Sequence, residues 1–264
     1  MIYIRNNIKN QLFLPLFALI FSAIGMPCLG ADNVDGNNLP FKVGEKLEFR
    51  VYLGFIFGGN ASMTVNSITD INGYPCYEII SEARSTSAVD NFYKVRDRIT
   101  SWQDVEGGFS RRYEKKIREG GYRSERLVEY TPEHQMALLY KNSKDNPDTL
   151  DLPGSVQDVL SAFYYIRTKE LKVGESIWVD VHDIDKRYDL EVLVLRKETL
   201  DVPAGKFECF VVEPKLMSSG IFRREGTMQI WLSDDEFKIP VMMRSKLYFG
   251  SVWAKLEGYK LGGE

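Results

Sequence analysis

Phe41-Lys42-Val43-Gly44-Glu45-Lys46-Leu47-Glu48-Phe49-Arg50-Val51 returns later in the chain as Leu171-Lys172-Val173-Gly174-Glu175-Ser176-Ile177-Trp178-Val179-Asp180-Val181. In both stretches a Lys-Val-Gly-Glu step opens a run with a period of two. Leu47, Phe49 and Val51 alternate with Lys46, Glu48 and Arg50; Ile177, Val179 and Val181 alternate in the same way. Successive strand side chains point to opposite faces, so each run reads as a strand with one face on a core. After each copy come a turn, a segment carrying an aromatic residue and a cysteine, and a strand centred on Trp102 or Trp231. The fold is therefore expected to be a duplicated β unit.

Working outward, Gly54, Gly58 and Gly59 punctuate a turn or bulge, and Ala61, Met63, Val65 and Ile68 form the return strand. Asn72-Gly73 is a hairpin signal, because a type I′ turn needs positive φ at both central residues. In the second copy Pro203-Ala204-Gly205 takes that place, and Phe207 to Glu213 matches Tyr74 to Glu82. Phe92 to Trp102 corresponds to Ile221 to Leu232, and Phe109 to Ile117 to Ile239 to Leu247. Between the copies the period changes. Val156, Val159, Leu160, Phe163 and Ile166 or Arg167 follow helical spacing behind Pro153-Gly154. Ser155 reads as the N-cap with Asp158 three residues on, as in a capping box, so a helix is expected over 155–168. A helix this apolar among strands is expected inside the sheet. The fold class is mainly β: a curved antiparallel sheet or open barrel built from two related halves (about 40–140 and 170–261), with one core helix packed in the concave face. Neither half has its own helix, so residues 40–264 are expected to form a single domain.

The N-terminus has the layout of a secretory signal. Arg5 and Lys9 precede an apolar run, Leu12 to Ile24, that is too short for a comfortable membrane span, and small residues follow at Gly25 and Gly30. Residues 1–30 are read as a signal peptide and 31–39 as a flexible leader. Pro27 before Cys28 argues against lipid anchoring there. Removing residues 1–30 takes away two basic residues and no acid, moving the formal charge from −3 to −5. That balance, together with export, argues against a nucleic-acid binder. The expected location is the periplasm, with no membrane span in the mature chain. Cys76 and Cys209 occupy equivalent places in the two copies, and an oxidising compartment would permit a disulfide between them. Two buried thiols are the alternative.

Gly54-Phe55-Ile56-Phe57-Gly58-Gly59-Asn60-Ala61 after the Lys-Val-Gly-Glu strand, the helical Asp158-Val159-Leu160-Ser161-Ala162-Phe163-Tyr164-Tyr165-Ile166-Arg167, and Val202-Pro203-Ala204-Gly205-Lys206-Phe207-Glu208-Cys209 stand in a telling order. In these motifs the chain resembles the domain of unknown function 3108 family of bacterial exported proteins. The resemblance implies a curled antiparallel sheet, an envelope location and no established activity. It supplies no catalytic residues. The basic hairpin at Arg111 to Arg126 is a departure from it.

Catalytic signatures are missing. There is no Gly-x-Ser-x-Gly elbow, and no histidine lies near a cysteine in sequence. His182 beside Asp180, Asp183, Asp185 and Asp189 lacks the spacing of any zinc or EF-hand motif and reads as a solvated turn. No metal site and no cofactor is expected. Residues 94–126 hold ten Lys or Arg against six Asp or Glu, enough to meet anionic lipid head groups or glycan phosphates, or to be a solvated hairpin of cross-strand pairs. Asp158 and Arg167 bracket the helix. With Tyr164 and Arg96 they are the candidate ligand-binding residues; as structural groups, Asp158 and Arg167 would cap and terminate the helix. The functional expectation is a non-enzymatic envelope factor that binds an apolar or amphiphilic ligand, such as lipid or envelope glycan, or a protein partner. The alternatives are a hydrolase or lyase acting on envelope polysaccharide or lipid, and a purely structural scaffold.

Overall fold

The structure is a computed structural model that describes residues 39–142, 146–215, 228–247 and 250–263. The signal-like segment 1–30 with Cys28, the leader up to residue 38, residues 221–227 and Tyr248-Phe249 lie outside the described residues. The first half contributes β1 (Glu45–Leu53), β2 (Ile56–Ile71), β3 (Tyr74–Ser85), a short α1 (Ser87–Asp90), β4 (Arg96–Asp104), β5 (Ser110–Glu119), β6 (Tyr122–Thr131), β7 (Met136–Lys141) and β8 (Asp148–Asp151). The core helix α2 (Val159–Arg167) follows. Then come β9 (Ser176–Asp183), β10 (Lys186–Val202), β11 (Gly205–Lys215), β12 (Met228–Ser233), β13 (Pro240–Leu247) and β14 (Gly250–Leu261).

All these strands join one sheet in the order β8-β7-β6-β5-β4-β3-β2-β1-β14-β13-β12-β11-β10-β9. Each half is an antiparallel meander, and the halves are joined by the first and last strands, β1 against β14. The duplication is visible in backbone detail. Gly44 and Gly174 both have positive φ, 89° and 88°, which favours glycine. The Gly44 N–H donates to Val65 O and that of Gly174 to Val194 O, each at 2.8 Å. The two acceptors mark equivalent bulges, between Val65 and Ser67 in β2 and between Val194 and Arg196 in β10. A second pair of register shifts falls at Trp102 and Trp231.

The open ends of the sheet, β8 and β9, do not pair with each other. The segment before α2 spans the gap. Val156 O accepts from the Ser110 N–H of β5 at 2.9 Å, the Gln157 N–H donates to Asp180 O of β9 at 2.9 Å, and Gln157 O accepts from the His182 N–H at 2.8 Å. This stitching fixes where α2 begins. The N-cap is Asp158, not Ser155: its carboxylate accepts from the Leu160 and Ser161 N–H groups at 2.7 and 2.9 Å. Ser155 is held out of the helix because the two residues after it are committed to the bridge.

The helix packs against β3, β4 and β9. It buries Val159, Leu160, Ala162, Tyr164 and Ile166 among inward residues of both halves, including Leu47, Met63, Val192 and Leu256. Each large apolar side chain so buried contributes about 1.5–3 kcal/mol before entropy is subtracted. At its C-terminus the fully buried Arg167 meets the fully buried Glu45 through two contacts, 2.8 and 2.7 Å.

Cys76 and Cys209 are free, buried thiols on β3 and β11, with five strands between them in the sheet, so the bond considered from sequence is absent. Each faces the carbonyl two residues back, Tyr74 O and Phe207 O, as duplicated positions should. Burial pushes both thiols up to about 12.

Arg167→Ala should cost about 3–5 kcal/mol in urea denaturation, because it strands a buried carboxylate, and Glu45→Met with Arg167→Met should recover part of the loss. A loss below about 1 kcal/mol for the single variant would contradict the role given to the pair. The denatured, unreduced protein should alkylate at both Cys76 and Cys209, and the native protein at neither on the same timescale; a Cys76–Cys209 peptide in a non-reducing digest would contradict this.

Candidate functional site

Of the four residues picked out by sequence, three point into the core. Asp158, besides capping α2, accepts from Ser101 Oγ and Ser110 Oγ, each at 2.5 Å, and its burial raises its pKa. The Tyr164 ring packs edge-on to Phe41 at 4.9 Å, and the Arg167 guanidinium lies 4.9 Å from the Tyr164 ring. Arg167 also donates to Pro40 O at 3.0 Å and Phe237 O at 3.1 Å. The structure thus brings Tyr164 and Arg167 together and leaves Asp158 at the opposite end of the helix.

Arg96 stands elsewhere, on the outward face of β4. Inter-strand register sets it in a row. Arg84 pairs directly with Arg96, and Arg118 with Arg123. The Arg98–Lys116 pair and the Val95–Glu119 bridge place Arg96 beside Arg118. Four arginines therefore lie side by side across β3, β4, β5 and β6. Like charges directly opposite one another destabilise a sheet, so this row has a cost that local pairs only partly offset. Arg96 is held by Asp90 of α1 at 2.5 and 3.1 Å, and Arg84 lies 3.5 Å from Glu82. Among the described residues no ion pair engages Arg118 or Arg123, while Lys94 helps Arg96 to lower the Asp90 carboxyl. Lys94, Arg96, Arg118 and Arg123, with Ile117, Ser124, Glu125 and Asn142, line a cleft of about 760 Å³.

The inner face beneath this row carries two buried carboxyl groups. Glu119 is buried against Asp97, and burial, followed by the Asp97 hydrogen bond, pushes its carboxyl up to about 9. Asp97 is raised as well, chiefly by burial, while its carboxylate accepts the Arg118 N–H at 2.8 Å. The Tyr93 hydroxyl sits 3.4 Å from Glu119 and is itself raised to about 12, first by burial. With its carboxyl raised to about 9, Glu119 adds no negative charge beneath the arginines at neutral pH.

A family described as protein of unknown function (DUF3108) matches residues 48–257. The chain belongs to the DUF3108 family. Among solved structures it is similar to a β-barrel-like protein of domain of unknown function DUF1849 from Brucella abortus, at 12% identity and a TM-score of 0.55, covering 84% of this chain and 99% of that one. That likeness concerns the fold alone. A candidate lipoprotein from Parabacteroides distasonis (14% identity, TM-score 0.37, 84% and 97% covered) and a candidate exported protein with a YmcC-like fold from Bacteroides fragilis (12%, 0.35, 84% and 98%) are more distant matches. No curated protein matches the chain. No helix among the described residues is long and apolar enough to cross a membrane.

In this DUF3108 chain the basic hairpin and the acidic turn differ from the solvated elements expected of them. Arg111, Lys115 and Glu119 of β5 are buried. Arg111 donates to Asp104 at 2.8 Å, and Lys115 faces Asp183 at 3.3 Å. His182 is buried beside Tyr130, whose hydroxyl lies 3.2 Å from Nδ1, and burial lowers its pKa to about 4. No group of metal-binding side chains occurs among the described residues. Sequence reading missed Glu45, although its phase with Leu47 and Phe49 places it on the inward face. It also missed the arginine row, which exists only through register.

Glu119→Gln tests the protonated state. The folded carboxyl titrates above its unfolded value of about 4.5, so its contribution is complete below that pH and is lost as pH rises toward about 9. The glutamine variant should therefore gain on wild type by more than about 1 kcal/mol between pH 5 and pH 8 in urea denaturation. An unchanged difference would contradict a protonated Glu119.

Proposed function

We propose that this protein is an exported, non-enzymatic envelope factor that binds an amphiphile through its anionic head group, with the arginine row as the recognition element. The observation that carries this reading is the row itself, in which Arg96 and Arg84 have acidic neighbours and Arg118 and Arg123 have no ion pair among the described residues. Arginine presents a planar fork of donors that matches phosphate geometry, and a phosphate seated across Arg96, Arg118 and Arg123 would relieve their mutual repulsion. The signal-like residues 1–30 support export, and the periplasm is the compartment this reading assigns. A non-enzymatic role is supported by the structural use of three of the buried carboxylates: Asp158 on backbone and serine donors, Asp183 on Lys115, and Glu45 on Arg167. The concave face, the binding surface expected from sequence, carries α2 and its aromatic partners, so the head-group site is placed on the outer face.

Calorimetry with dihexanoyl phosphatidylglycerol below its micelle concentration tests this. Wild type should bind it and bind dihexanoyl phosphatidylcholine more weakly by at least about tenfold. Arg118→Glu with Arg123→Glu should abolish the difference. Equal heats for both lipids, or an unchanged variant, would retire the reading.

A further inference from the structure

The connections after β1, β3 and β5 lie at one rim of the sheet, the end at which the arginine row stands, and they expose apolar residues rather than cover them. At the β1–β2 tip Phe55 is 94% exposed and Ile56 59%; after α1 Phe92 is 91% exposed; at the β5–β6 turn Tyr122 is 59% exposed. A single exposed apolar residue is ordinary, but large apolar side chains on neighbouring turns of one rim, edged by charge, mark a candidate interaction surface. The rim is also built to hold its shape. The Thr86 N–H donates to Gly58 O at 3.0 Å, fastening α1 to the β1–β2 hairpin, and the Gly54 N–H donates to Ser251 O at 2.8 Å, fastening that hairpin to β14. Tyr93 lies over Gly120, where a Cβ would meet its ring at 2.9 Å, so the β3–β4 and β5–β6 connections touch.

We propose that this rim docks on an anionic phospholipid bilayer, with Phe55, Ile56 and Phe92 entering the head-group and upper acyl layer while Lys94, Arg96, Arg118 and Arg123 meet lipid phosphates. This rests on the head-group reading above and adds the bilayer as the source of the head groups. Charge selects the occupant. The whole chain is acidic, with a formal charge of −3, so general attraction to a negative surface is absent. The positive charge is gathered directly behind the apolar tips. Apolar and aromatic side chains with arginine and lysine alongside are the pairing that seats a protein in a bilayer interface. Each basic residue near an anionic surface adds attraction that falls off within a Debye length. The row lies on the strand ends nearest the tips, where that short range is useful.

The test is cosedimentation with vesicles of equal parts phosphatidylglycerol and phosphatidylcholine against pure phosphatidylcholine, alongside the soluble dihexanoyl phosphatidylglycerol titration. Phe55→Ser with Phe92→Ser changes only exposed side chains, and circular dichroism checks that its fold is kept. It should lower vesicle affinity by at least about tenfold while leaving soluble-lipid affinity unchanged. Arg118→Glu with Arg123→Glu should lose both. In the Phe55→Trp protein, indole emission should shift to the blue on mixed vesicles and be quenched by lipids brominated in the acyl chain. Vesicle binding unaffected by Phe55→Ser with Phe92→Ser, or emission from the Phe55→Trp protein that ignores brominated lipid, overturns the docking proposal. Intact soluble-lipid binding with no vesicle binding also overturns docking and leaves the head-group site standing. Loss of soluble-lipid discrimination in wild type brings down the head-group reading itself.

Discussion

The buried Arg167–Glu45 pair is the point on which the interior turns. Taking two charges out of water is costly, and their attraction repays it only when geometry is good and the remaining donors are satisfied. Arg167 meets that condition by sending its other N–H groups to Pro40 O and Phe237 O. One guanidinium thus ties the last turn of α2 to the entry of β1 in the first half and to the β12–β13 connection of the second. An apolar side chain at this position could fill the same space, but it could not specify which three segments meet there. The aromatic packing of Phe41 and Tyr164 around the guanidinium follows from that convergence.

Much of the architecture was legible because it is written in local patterns. The period of two, the paired Lys-Val-Gly-Glu turns and the Asn72-Gly73 signal are all short-range, and each has a direct structural counterpart. The helix was legible for the same reason, but its start was not: moving the cap from Ser155 to Asp158 depends on Val156 and Gln157 being drawn into β5 and β9, contacts made far away in sequence. The arginine row fails to show for a similar reason. The count of basic residues over 94–126 is visible in the sequence, yet the row is made of residues from four strands, and only hydrogen-bond register aligns them. Buried ionisable groups were the hardest to see, since Lys115 and Glu119 look like ordinary surface charges until their strand is given an inner face.

The two faces of β4 and β5 handle charge in opposite ways. Outside, four guanidiniums are aligned and only some are matched. Inside, at the same level, Asp97 and Glu119 share a buried site in which both carboxyls are raised, chiefly by burial. Burial forces this asymmetry: a second carboxylate beside Asp97 would be like-charged and dehydrated, so Glu119 keeps its proton.

Pairing β1 with β14 sets the order in which the chain can become native. The two segments that form the middle of the sheet come from opposite ends of the described chain, Glu45 meeting Leu261. Contacts so distant in sequence form slowly, because loop entropy is lost before they give anything back. Until β14 is in place, β1 and β13 each keep an unpaired edge, and the two halves share no strand pairing. The seam between the two halves is thus the most long-range contact in the sheet, and the one whose closure costs the chain most loop entropy.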